Sequence, residues 1–171
     1  MKCSAIVIAS LLLVPAVGRP AQGINDAQIA SIVVTANQVD IDAGELAKAR
    51  STNTEVKKFA ELMIEAHTGV NKSATALVTK LKVTPEDNPT SQSLKSGGDA
   101  NLSALKGLKG KAFDKAYIDH EVTYHQAVLD AVDKTLIPGA KNEELKALLQ
   151  KVRPAFVAHL EHAKHLQSSL K

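Results

Sequence analysis

Cysteine occurs once in the 171 residues, at Cys3, and tryptophan does not occur at all. A single thiol excludes an intrachain disulfide. Cys3 precedes the apolar run Ala5 to Val14, too early for a cysteine lipidated after such a run. Long apolar stretches are otherwise missing. That first run has about ten residues, and a helix crossing a bilayer needs roughly 20. With Lys2 before it and Pro15 and small residues after it, the segment has the pattern of a secretory signal peptide. Cleavage is expected after Gly18 or Gly23, and Cys3 leaves with the leader. The remaining chain then has no thiolate ligand, no cysteine nucleophile and no means of stable membrane insertion.

An excess of one charge is also lacking. The formal net charge of +3 falls by two, to +1, when Lys2 and Arg19 are removed with residues 1–23, which contain no acid. A nucleic-acid or anionic-membrane partner is therefore not expected. Residues 24–171 are enough for one domain around one core. Its aromatics are sparse, three Phe and two Tyr in the whole chain, so Ala, Leu and Val must fill that core.

What the chain does have is helical periodicity. Asn25 and Gln28 form a capping-box pattern ahead of a first helix reaching about Arg50. Thr52 and Glu55 form a second, opening a helix to Leu81 or Lys82. Pro85 and Pro89 stop it. Residues 83–110 read as a crossing connection, too long for a simple turn, with a partly helical piece capped by Thr90 or Ser91 and weakened by Gly97-Gly98. A third long helix is expected over Lys111 to Leu136, ended by Ile137-Pro138-Gly139. A fourth starts at the N-cap Asn142, and Pro154 should kink it. Period-2 alternation is absent. The fold class is all-α, an up-down four-helix bundle.

The apolar stripes are interrupted in one consistent way. At 100° per residue, with Tyr117 at the origin, Glu121 falls at about 40° and His125 at about 80°, inside the stripe of Ile118, Val128 and Val132. Asp40, His67 and His159 likewise sit within the stripes of the first, second and fourth helices. Charged side chains are almost never buried unpaired. Counted from the intervening turns, Asp40 lies 12 residues before Thr52 and His67 15 after it. His125 lies 14 and Glu121 18 before Gly139, with His159 20 after it. These offsets differ by only a turn or two of helix, about 5.4 Å each, so one cluster at one level is possible. Two carboxylates and three imidazoles suit Zn, Fe, Mn or Cu. The alternatives are a metal-free network of Asp–His and Glu–His pairs, or unrelated core positions. His162 stands on the edge of the stripe and could join His159. His165 and His120 fall outside the stripes and read as solvent-facing. Asp114, two turns before Glu121, reads as a helix cap or a partner of Tyr117.

The residues Val56-Lys57-Lys58-Phe59-Ala60, Met63-Ile64-Glu65-Ala66-His67, Phe113-Asp114-Lys115-Ala116-Tyr117, His125 and Pro154 with His159-Leu160 together resemble the domain-of-unknown-function 4142 family. The resemblance covers essentially all of residues 24–171. It implies a ferritin-like bundle and secretion to the bacterial periplasm, with no settled activity. The family usually carries Glu in place of Asp40 and Asp-His in place of Ala66-His67. The first change shortens a carboxylate and the second removes one. The Glu-x-x-His pairs of ferritin-type di-iron sites do not occur in a core stripe, because Glu121 and His125 are four apart. No nucleophile–base constellation or glycine-rich phosphate loop stands out, and no organic cofactor is implied. The expectation is a metal-binding bundle rather than an enzyme. A non-enzymatic envelope or stress-related bundle and a metal-dependent oxidoreductase are the alternatives. Oligomeric state is left open.

Overall fold

The computed structural model describes residues 23–170. The signal-peptide segment, apart from Gly23, lies outside the described residues. Within them the protein is all-α, without a strand. Helix α1 (Asp26–Arg50) opens on the expected capping box, with Gln28 N–H donating to Asn25 Oδ1 at 2.8 Å and Asn25 N–H to Gln28 Oε1 at 3.3 Å. Helix α2 (Thr54–Leu81) is capped one residue later than the sequence pattern suggests. Asn53 Oδ1 accepts from the amides of Glu55 (2.9 Å) and Val56 (3.2 Å), so Asn53 and not Thr52 is the N-cap. Asparagine reaches two of the free amides with one oxygen.

The connection after α2 contains helix α3 (Pro89–Lys106), capped by Asn88 rather than by Thr90 or Ser91. It runs unbroken through Gly97-Gly98. The glycine earns its place by packing: a Cβ on Gly98 would stand 2.7 Å from Val39 Cγ2 of α1. Helix α1 is thus covered by α2 on one side and α3 on the other, and Ser31 and Val39 are buried along with the main stripe. Helix α4 (Gly110–Ala131) passes into a π-helical turn, Val132–Leu136, and then into the short helix α5 (Ile137–Gly139). Helical geometry therefore extends beyond the expected stop, with Pro138 in the last turn before the chain leaves the helix at Ala140. Helix α6 (Glu143–Ser169) starts from Asn142 as expected and continues across Pro154.

Polar clasps hold both ends. The Asp26 carboxylate accepts from the amides of Lys141 (2.8 Å) and Asn142 (3.1 Å), tying the starts of α1 and α6. Arg50 donates to the carbonyls of Lys106 and Leu108. The core has two large apolar parts and a smaller third one of Leu129, Phe156 and Leu160. The first large part gathers Phe59, Met63, Phe113, Tyr117, Ile118 and Ala163. The second gathers Ile29, Ile32, Ala74, Val132, Leu145 and Leu149. On every long helix the ionisable core residue falls between these two large sets.

Candidate metal centre

Asp40, His67, Glu121, His125 and His159 are all buried, none more than 5% exposed. Helix periodicity turns each inward, and the matched helix lengths bring them to one level. Asp40 Oδ2 lies 2.9 Å from His67 Nε2 and 3.5 Å from His125 Nε2. His125 Nδ1 lies 3.4 Å from Glu121 Oε2. The rings of His67, His125 and His159 are mutually 5.3–5.6 Å apart. Ligand atoms of His67, His125 and His159 lie within 4.8 Å of one another, as do those of Asp40, Glu121 and His125. His125 belongs to both groups.

The tautomers of two of the histidines are set by groups other than the side chains that face them in the cluster, His67 by the Asn37 side chain and His125 by a backbone carbonyl. Asn37 donates its amide N–H to the Val33 carbonyl (2.7 Å), which fixes the orientation of the amide. Its Oδ1 then accepts from His67 Nδ1–H at 2.7 Å. His125 Nδ1–H donates to the Glu121 carbonyl at 3.1 Å. In both rings Nδ1 is occupied and Nε2 faces the cluster, the arrangement by which neighbours orient metal-binding imidazoles. Phe156 stacks on His67 with rings 5.3 Å apart and 6° from parallel. Asn37 and Phe156 complete the setting of His67. Asn37, at about 80° from Ile29 on the α1 projection, was there to be found as an amide one turn before Asp40.

Seven buried atoms of the five residues have no well-aligned hydrogen-bond partner within the protein: both oxygens of Asp40, both of Glu121, His67 Nε2, His125 Nε2 and His159 Nδ1. Asp40 still lies close enough to His67 and Glu121, and Glu121 to Tyr117, for each to act on the other's proton affinity. The 2.9 Å Asp40–His67 approach is close enough for a hydrogen bond but is not aligned as one. Each unpaired buried polar group costs about 1–3 kcal/mol, more when charged. Burial raises the affinity of Asp40 for a proton, but His67 and His125 together outweigh it and hold this carboxyl at about 2. Glu121 goes the other way. Burial and then the charge of Asp40 push it well above the usual carboxylate range. Burial, followed by the neighbouring His67 and His125, lowers His159 to about 4. Such a set can bind a cation by exchanging one proton for it.

The remaining candidates go elsewhere. His165 is exposed, as expected. His162 packs edge-on against Phe59 at 5.1 Å, beside the first large apolar part of the core. His120 is half-buried rather than solvent-facing and stacks on Tyr124 at 5.4 Å. Asp114 is buried but does not cap α4, whose N-cap is Lys109, and its Oδ1 has no partner. Tyr117 is likewise buried with an unpartnered hydroxyl.

The helices and their buried histidine–carboxylate core define a class of all-helical protein whose polar centre could hold a metal. The chain belongs to the DUF4142 family, a domain of unknown function, whose family profile matches residues 14–166. No curated protein matches the sequence. Two solved structures share the fold. One is a DUF305 protein of Streptomyces coelicolor, presumed secreted, with a TM-score of 0.72 and 14% identity over 85% of this chain and 93% of that one. The other is CopM in its Cu(II)-bound form, with a TM-score of 0.65 and 18% identity over 85% of this chain and 98% of that one.

Proposed function

We propose that this protein binds one divalent transition metal, Zn, Fe, Mn or Cu, through Asp40, His67, Glu121, His125 and His159. The observation that carries the reading is the convergence from four helices of seven buried polar atoms that lack well-aligned partners, with ligand atoms within 4.8 Å of one another in each of two groups. A cation accepts lone pairs from all of these groups at once. The orientation of two Nε2 atoms, of His67 by the Asn37 side chain and of His125 by the Glu121 backbone carbonyl, supports it, and the Cu(II)-bound CopM of similar fold favours copper among the metals. The protein is read as a metal-handling member of the bacterial envelope. Residues 1–23 form its secretory signal and 24–171 its one domain, a ferritin-like up-down four-helix bundle crossed by the α2–α4 connection. Among the described residues no helix is long and apolar enough to cross a membrane, which is compatible with that placement.

A second reading draws on the bonds His67 already makes to Asn37 and its approach to Asp40. There the polar core is metal-free and only sets the register of the helices. Melting temperatures of wild type and His125→Ala, each with Zn²⁺, Cu²⁺, Mn²⁺, Fe²⁺ or chelator, separate the two. Metal at 100 times its Kd raises wild-type stability by about 2.7 kcal/mol, and His125→Ala loses most of that gain. Wild type unmoved by every metal leaves the metal-free network. Equal shifts in both proteins place binding elsewhere, at His162 and His165.

A further inference from the structure

The cluster has an open face. A cavity of about 140 Å³ lies against Asn37, Asp40, His67 and His125, while Glu121 and His159 are not part of its wall. Apart from that corner its wall is almost wholly apolar, formed by residues such as Val33, Val128, Val132 and Leu149. The π-helical turn Val132–Leu136 runs along it, and such turns widen a helix, often at functional positions. Outside lies a surface groove of about 480 Å³ between α3 and α4, which reaches His120. Thr90, Leu94 and Tyr124 border both spaces and separate them. Tyr124 Oη donates to the Ala36 carbonyl at 2.9 Å and so fastens this partition to α1.

We propose that this cavity is a binding site for one small uncharged molecule, up to about the size of benzene, which enters past Tyr124 and turns a single donor atom toward Asp40, His67 and His125. The volume sets the size, since an apolar cavity of roughly 150 Å³ takes up benzene or xenon. The wall sets the class. A hydrated ion would have to shed its water against apolar side chains without replacement, whereas an apolar body gains from burial there. The polar corner is what distinguishes the cavity from a packing defect. It turns the molecule's donor atom toward the face of the cluster formed by Asp40, His67 and His125. The proposal goes beyond metal binding and does not require it.

The test uses benzene as the apolar probe, phenol as the same ring with one donor atom and benzoate as the charged counterpart, on the metal-free protein by melting temperature and by xenon uptake in crystals. Phenol should raise the melting temperature more than benzene at equal concentration, and equal shifts would remove the role of the polar corner. Ala36→Leu and Ala131→Leu each add a side chain at the cavity wall, and either one that folds suffices. Benzene near ten times its Kd should raise the wild-type melting temperature by roughly 3–6 °C. Xenon should occupy the cavity, and benzoate should do nothing. The filled variants should lose the benzene shift and keep any metal shift. Wild type unmoved by benzene and empty of xenon would overturn the proposal, as would equal benzene shifts in the filled variants or a shift with benzoate. A metal shift without benzene binding removes the cavity site alone. Benzene binding without a metal shift removes the metal reading alone.

Discussion

Asp40 and Glu121 are two carboxyls within reach of the same imidazole, His125, and their environments drive them apart. Asp40 faces two histidines and is held at about 2, while Glu121, at the other ring nitrogen of His125, is pushed well above the usual carboxylate range by burial and by the charge of Asp40. A pair separated in this way has one member ready to bind a cation and one that must first give up a proton. Metal binding at pH 7 should therefore release about one proton from Glu121. Titration calorimetry with Zn²⁺ in buffers of different ionisation enthalpy measures this. Glu121→Gln, which has no such proton, should release about one fewer than wild type. Equal release by both proteins would place Glu121 outside the coordination sphere.

Caps, stripes and close contacts decide which parts of the helices could be read in advance. Asn25 and Asn142 were legible because a side-chain oxygen at the right offset finds free amides wherever the helix goes. The second helix misled because Thr52 and Asn53 are both good caps and only the path of the chain chooses between them. Asn53→Ala should lower the melting stability by about 1 kcal/mol, whereas Thr52→Ala, at an exposed position without a cap bond, should change it by less than about 0.5 kcal/mol. Urea unfolding of the two variants checks this, and the reverse order would restore Thr52 as the cap. Asp40, His67, Glu121, His125 and His159 were legible because helical arithmetic gives direction and distance from the turns gives height. Their mutual contacts agree with both. The burial of Val39 against Gly98 was not legible, since it depends on where α3 crosses α1 and no local rule fixes that. The role of Asn37 escaped for a different reason. An amide near an apolar stripe is most simply a satisfied core residue, and only the position of His67 Nδ1 reveals what it holds.

Across the whole molecule the polar centre lies between the two larger apolar clusters, so its protonation acts on the stability of the entire fold. His159 is held at about 4 in the folded protein, against an ordinary value of 6.5. A folded value below the unfolded one contributes stability that is fully present above pH 6.5. It is lost as the pH falls toward 4, because the unfolded chain binds a proton that the folded chain refuses. Burial is the first cause, followed by the nearby His67 and His125, so this contribution belongs to the assembled core rather than to α6 alone. In the presence of chelator, the unfolding free energy of wild type should fall between pH 6.5 and 4 with a His159 contribution of up to about 1.4 kcal/mol per pH unit. His159→Gln keeps a polar side chain but cannot titrate, so its stability should depend on pH less steeply by that amount. Denaturant unfolding of both proteins at half-unit steps measures the difference. Parallel pH profiles would mean that His159 accepts its proton as readily inside the fold as outside it, and that the centre is open to water from its α6 side.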